Sequence, residues 1–246
     1  MSALTNFFDV TLAGESKTYN DHNWYVSGQK IKGYIEGKFG TPYTLLTKTL
    51  SEYTIGEVKQ FQARSRSGSG QLWATGRYQI IPDTLIGLQT SLKLSDSTIY
   101  NKETQDKMGL KLLTERKAIN DYIYAKTEDT KKNLESAALE VAKIWSSVGV
   151  PYKTKGKYKY LDKNQSYYEG GGDMASEPTE NVQAQLKELR KNKDNLTVES
   201  SIELLKSKST KKSSINTGVT VAIITICVYI IFTQTTQGKK ILNEFT

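Results

Sequence analysis

Apolar positions recur at helical spacing through most of the first 175 residues. Phe7, Phe8, Val10, Leu12 and Ala13 predict an amino-terminal helix closed by Gly14. Thr54 to Ala63 predicts a second, with Thr54 as its cap and Glu57 three residues on, the pattern of a capping box. Asp83 to Leu92, Lys102 to Tyr124 and Leu134 to Ser147 continue in the same way. Leu110, Leu112, Leu113, Leu139, Val141, Ile144 and Trp145 are the expected core positions. Between Trp24 and Thr44 the chain is rich in Gly and Tyr with partial alternation, which predicts a small β-hairpin. Strands and helices do not alternate regularly and no repeat is visible, so the class is mainly α with a small β element, an α+β domain.

Beyond residue 175 the pattern changes. Val182, Leu186 and Leu189 fall at helical spacing among Lys, Glu and Gln, and Leu196, Ile202 and Leu205 extend a broken stripe that Lys193 and Asn195 interrupt. Residues 176–214 therefore read as a charged stalk, either helical or a solvated tether. From Gly218 to Phe232 the chain is GVTVAIITICVYIIF, and no charge occurs in the 26 residues from Ser213 to Gly238. About 20 helical residues cross a bilayer, so residues 215–236 are expected to form a single transmembrane helix, with 237–246 as a short tail. Cys227 is an apolar filler within it. Lys206, Lys208, Lys211 and Lys212 precede the run and Lys239 and Lys240 follow it, which suits lipid phosphate and places the large amino-terminal part on the cytoplasmic side. The opening MSALTNFFDVTLAGES has neither a basic leader nor a long apolar stretch and is not read as a secretory signal.

Composition narrows the chemistry. Fifteen Tyr, six Phe and three Trp in 246 residues exclude a chain too poor in aromatics to build a core. One Cys excludes an internal disulfide, and one His excludes His-rich zinc sites, so no metal and no cofactor are expected. Residues 1–175 carry 24 basic and 19 acidic side chains, a net +5, and the remainder carries a net +3. Such a surface attracts a polyanion. No recognised nucleic-acid module accompanies it, so no nucleic acid partner is expected.

Two short segments carry the chemistry. Gly14-Glu15-Ser16, followed by Tyr19-Asn20-Asp21, puts a carboxylate at the end of an apolar helix with polar groups close behind. Ala74-Thr75-Gly76-Arg77-Tyr78-Gln79-Ile80-Ile81-Pro82-Asp83-Thr84 joins a glycine turn, a Tyr-Gln pair and a proline that opens a helix. Together these resemble the lysozyme-like superfamily, in particular its phage lytic transglycosylases and lambda-type endolysins. The Lys143 to Gly149 segment, KIWSSVG, is similar to that group as well. The resemblance covers roughly residues 4–175 and implies a lysozyme-like domain over residues 1–175. It implies cleavage of the β-1,4 bond between N-acetylmuramic acid and N-acetylglucosamine in peptidoglycan, with Glu15 as the catalytic acid and base. It also implies substrate contacts from Ser16, Tyr19, Asn20, Gly76, Tyr78 and Gln79, and a cleft closed from below by Tyr167 and Tyr168. The partners expected are peptidoglycan glycan strands, a lipid bilayer through the carboxy-terminal helix, and phage membrane or capsid proteins. The location that follows is the phage virion membrane or the host inner membrane.

The physical reading of these residues runs parallel. Splitting a glycosidic bond requires a proton on a poor leaving oxygen, hence a carboxylic acid among apolar walls, which Phe8, Leu12 and Ala13 are placed to supply. A hydrolase adds a second carboxylate about 5 to 9.5 Å away, and Asp21 is the nearest by sequence. Glu36, before Gly37 in a comparable setting, is the other alternative acid. Tyr78 has core packing as its competing role, and Trp145 reads as core. The Lys/Tyr-rich segment Tyr152 to Tyr160 matches no motif. A wall-binding membrane protein without turnover is the competing function.

Overall fold

The computed structural model describes residues 3–16, 18–26, 29–35, 38–39, 46–64, 70–170 and 175–196. The chain divides into two units, residues 1–202 and 203–246. The second unit, with the predicted membrane helix, lies outside the described residues, as does Glu36. Among the described residues no helix is long and apolar enough to cross a membrane.

Helix α1 (Ala3–Thr11) buries Phe7 and Phe8 and leads into a four-stranded antiparallel sheet. β1 (His22–Val26) pairs with β2 (Gln29–Ile35), the hairpin expected from the Gly/Tyr-rich stretch. β3 (Lys38–Phe39) extends β2, and β4 (Gln71–Thr75) closes the other side of β1, giving the order β3-β2-β1-β4. Helix α2 (Ile55–Gln62) lies between in sequence and has the predicted capping box, with Thr54 Oγ1 accepting from Glu57 N–H and Glu57 accepting from Thr54 N–H. It packs on the sheet through Phe61, edge-on to the fully buried Trp24 at 6.2 Å.

The rest is helical: α3 (Pro82–Ser91), α4 (Lys102–Glu115), α5 (Lys117–Ile123) and α6 (Lys131–Ile144). A single helix was expected from Lys102 to Tyr124; extended backbone at Arg116 breaks it in two, which lets α5 turn and pack on both α4 and α6. Leu110, Leu113, Val141 and Trp145 are buried, and Leu112, Leu139 and Ile144 lie against that core. Two short strands, β5 (Thr154–Lys155) and β6 (Tyr160–Leu161), form a second hairpin.

The segment read as a stalk is different in the structure. Helix α7 (Thr179–Lys191) packs against α1, α5 and α6, and its Val182, Leu186 and Leu189 are fully buried. Arg190 fastens its end by donating to the carbonyls of Tyr122 (2.6 Å) and Thr127 (2.7 Å). The packed body therefore runs on through Leu196, itself buried, and not to residue 175. The interruption at Lys193 and Asn195 is the helix end, where Asn192 caps α7 and a 3₁₀ turn follows.

Candidate active site

The turn that ends α1 delivers Glu15. Leu12 N–H bonds Phe8 O, and the N–H groups of Glu15 and Ser16 both bond Leu12 O at 3.0 Å, so the chain stays coiled for one further turn. Glu15 is half-buried, and its Oε1 accepts from Ser147 N–H (2.8 Å) and from Ser146 Oγ (3.0 Å). Those serines follow α6, where extended backbone at Trp145 ends the helix. Ser147 O accepts from the N–H groups of Ser176 and Glu177, and Ser146 O accepts from Ser166 Oγ (2.7 Å). Two consecutive serines thus join the α1 turn, the lead-in to α7 and the 166–168 segment at one point.

Gly14 permits this approach. A Cβ there would meet Ser176 Oγ at 1.8 Å and Ser147 Cβ at 2.9 Å, so any side chain would push the Glu15 turn off the serines. Of the apolar walls foreseen for Glu15, Phe8 and Leu12 are buried, whereas Ala13 is exposed and supplies none.

The loop after Glu15 is organised around Asp21. Its carboxylate accepts from Ser16 Oγ (3.0 Å), Thr18 N–H (3.2 Å) and Thr18 Oγ1 (2.7 Å). Asp21 is buried, and its carbonyl accepts from Gly76 N–H, which links the loop to the second motif. Asn20 Oδ1 accepts from Ser51 N–H (2.9 Å). His22 is buried, and its Nδ1 meets Asn20 O at 2.7 Å, so the neutral ring donates there. Burial holds its pKa below the usual histidine value, opposed by the Asn20 carbonyl and the Asp21 charge.

In the second motif, Thr75 and Ile80 bridge across a turn. Gly76 (φ +70°) and Gln79 (φ +49°) both occupy the left-handed region. The Gln79 amide is consumed within this region, donating to Gly76 O and accepting from Asn23. Tyr78 was expected to line the cleft. Its ring is instead in the core, 3% exposed and edge-on to Phe8 at 5.0 Å, because the turn directs it inward against Gly109. Ser16 and Gly76 are buried too, and their polar groups are spent on the two loops.

Helix α4 supplies residues that no local motif announced. Asp106 Oδ1 accepts from both Tyr19 Oη (2.8 Å) and Tyr78 Oη (2.7 Å), and Lys102 bonds Asp106 Oδ2 and Tyr19 Oη. Burial, with Asp106 beside them, pushes both tyrosine pKa values up, so both phenols stay protonated. Gln105, fully buried, donates to Tyr19 O and accepts from Arg77 N–H. Arg77 also pairs with Asp9 of α1. A polar residue inside a helix gives no sequence signal of this kind, since only the fold brings its partners to it.

On the other side, Tyr168 Oη donates to Lys143 O (2.6 Å) and Tyr167 stacks edge-on with Tyr168 at 5.4 Å. With Ser166 bonded to Ser146, both rings belong to the segment adjoining the Glu15 serines.

One family model, described as Endolysin, matches residues 40–174, more than half of the chain. The chain belongs to the endolysin family. An endolysin is a phage enzyme that degrades the host cell wall, so its substrate is peptidoglycan. The matched stretch of this endolysin contains the Gly76 turn, Asp106, both serines and Tyr167-Tyr168, and begins after Glu15. No curated protein and no solved structure matches the chain.

Proposed function

We propose that this endolysin is a lytic transglycosylase that cleaves the N-acetylmuramic acid–β-1,4–N-acetylglucosamine bond with Glu15 as its single acid and base. The observation that supports it most is the fixation of Glu15. Both donors converge on Oε1, which leaves Oε2 to carry the proton and aims it without consuming it. Oε2–H protonates the glycosidic oxygen as the bond to muramic acid C1 breaks. The carboxylate then takes the proton of the muramic acid C6 hydroxyl, whose oxygen bonds C1 and closes a 1,6-anhydro ring. Asp21, the alternative second carboxylate, is held by three donors of its own loop, an arrangement that serves the loop better than a water or a sugar. Tyr19 and the Tyr167-Tyr168 pair are the aromatic groups at hand to border the sugar. The uncharged run from Ser213 to Gly238 is the proposed membrane anchor.

Mass spectrometry of sacculi digested by the full-length protein tests the reaction. Anhydromuropeptides are expected, and reducing muramic acid ends would make the enzyme a hydrolase. Alkaline carbonate extraction of membranes carrying the protein tests the anchor, which fails if the protein is released into the supernatant.

A further inference from the structure

The positive charge of the described body is concentrated. Residues 152–163 hold five lysines and one aspartate, a net +4, against +5 for the whole of residues 1–175. They form the β5–β6 hairpin and its flanks. Three tyrosines stand out of the same segment, Tyr152, Tyr158 (58% exposed) and Tyr160 (74% exposed). Lys155 and Tyr160 are paired across the hairpin and so share its outer face, while Leu161 on the opposite face is buried. Lys157 lies 5.2 Å over the Tyr158 ring and 5.3 Å over that of Tyr168. Among the described residues Lys155 and Lys157 have no acidic partner.

The hairpin is rigidly based. Gly156 is buried where a Cβ would meet Leu161 Cδ1 at 2.4 Å and Tyr167 O at 2.9 Å, and Lys157 N–H bonds Tyr167 O. Exposed rings on a fixed base cost little entropy to use, and large exposed aromatic groups among charges mark a binding surface. The surface is continuous through Tyr168 with the segment that adjoins Ser146 and Glu15.

We propose that this hairpin is a docking surface for the peptidoglycan strand that is cut, a polymer with sugar faces for the tyrosines and repeated carboxylates for the lysines. The inference rests on the wall-cleaving reading above and deepens it: the hairpin holds the polymer beside the carboxylate that cuts it. The exposed rings all bear hydroxyl groups, and the hairpin presents no exposed Leu, Ile, Phe or Trp, which suits a hydrated polymer better than the interior of a lipid surface.

The test uses the full-length protein, a Lys153→Glu/Lys155→Glu variant and a Tyr160→Ala variant. Co-sedimentation with purified sacculi is measured over a range of salt, beside cleavage of a short soluble glycan that fills only the cleft. Both variants should bind sacculi on the order of tenfold more weakly. The charge variant should also show a flatter salt dependence, and both should cut the short glycan at the parent rate. Sacculi stripped of phosphate polymers by acid should bind the parent as before, and weaker binding would assign the hairpin to the phosphate polymer and overturn the proposal. Parent-like binding of both variants to sacculi overturns the proposal. So does a loss seen only with anionic lipid vesicles or with single-stranded DNA. A parent protein that cuts neither substrate sinks the wall-cleaving reading alone, because co-sedimentation still reads the hairpin.

Discussion

The Gly76–Gln79 turn and the Ser146–Ser147 junction both bond the loop that carries Glu15, the first through Asp21 and the second through Glu15 itself, and they divide the labour in an unexpected way. The turn is the more conspicuous in sequence, yet its polar groups point inward: Gln79 onto Gly76 and Asn23, Tyr78 onto Asp106, Gly76 onto Asp21. The junction is two serines after a helix, and it grips the carboxylate. A motif can therefore mark a site by shaping the loop beside it, while the contacts that orient the reactive group come from distant, plainer residues.

The largest effect that separates these roles is expected at Glu15 itself. Glu15→Gln keeps an acceptor for both serines but cannot donate or take the proton. Release of soluble fragments from sacculi should fall about 10²- to 10⁴-fold, with the thermal midpoint nearly unchanged. Retained activity would remove Glu15 from the chemistry and with it the significance of the junction.

Next comes the buried face by which α7 joins the packed body. Leu186 is fully buried, so Leu186→Ala should cost about 2–5 kcal/mol in denaturant unfolding of the full chain. Were residues 176–196 a solvated tether, the substitution would leave the unfolding curve where it was. Gly14→Ala should follow, at about 1–3 kcal/mol, since Ser147 Cβ cannot yield without its backbone. It should also lower turnover, because the displaced turn carries Glu15 away from its donors.

Finer still is the contrast between Tyr78→Phe and Ser146→Ala. The first removes one donor from Asp106, which keeps Tyr19 and Lys102, and should cost about 0.5–1.5 kcal/mol of stability with an unchanged rate. The second frees half of the grip on Glu15 and should lower the rate about threefold to tenfold with little change in stability. A rate loss in Tyr78→Phe at unchanged stability would return Tyr78 to the cleft.

How much of this was legible depends on whether the determinant is local. The capping box of α2 lies within four residues, and both its bonds form as the pattern predicts. The hairpin of β1 and β2 was visible in alternation, but its pairing with β4 some fifty residues on was not. The stripe of Val182, Leu186 and Leu189 was read correctly as amphipathic and wrongly as a stalk, because spacing shows that a face is apolar and not what covers it. Gln105 and Asp106 were invisible for a related reason: a polar side chain on a helix is ordinarily solvated, and only the fold brings Tyr19 and Tyr78 to it. The net charge was legible as a sum, and its concentration in the β5–β6 hairpin gained meaning only once Tyr158 and Tyr160 proved exposed.

The smallest effect concerns the only histidine and acts on the loop that joins the two regions. His22 is buried with its pKa lowered, so the unfolded chain takes up a proton more readily than the folded one. Its contribution to stability is therefore fully present above the ordinary histidine value of 6.5 and is lost as the pH falls from there through the lower folded value. Protonation would place a charge between Trp24, edge-on at 6.0 Å, and the carbonyl of Asn20, the residue that holds Ser51. The thermal midpoint should decline between pH 7 and pH 5, and His22→Gln should flatten that decline at the expense of a lower midpoint at pH 7. An identical slope in the variant would remove His22 as the source of the acid sensitivity and leave its burial a matter of packing against Trp24 alone.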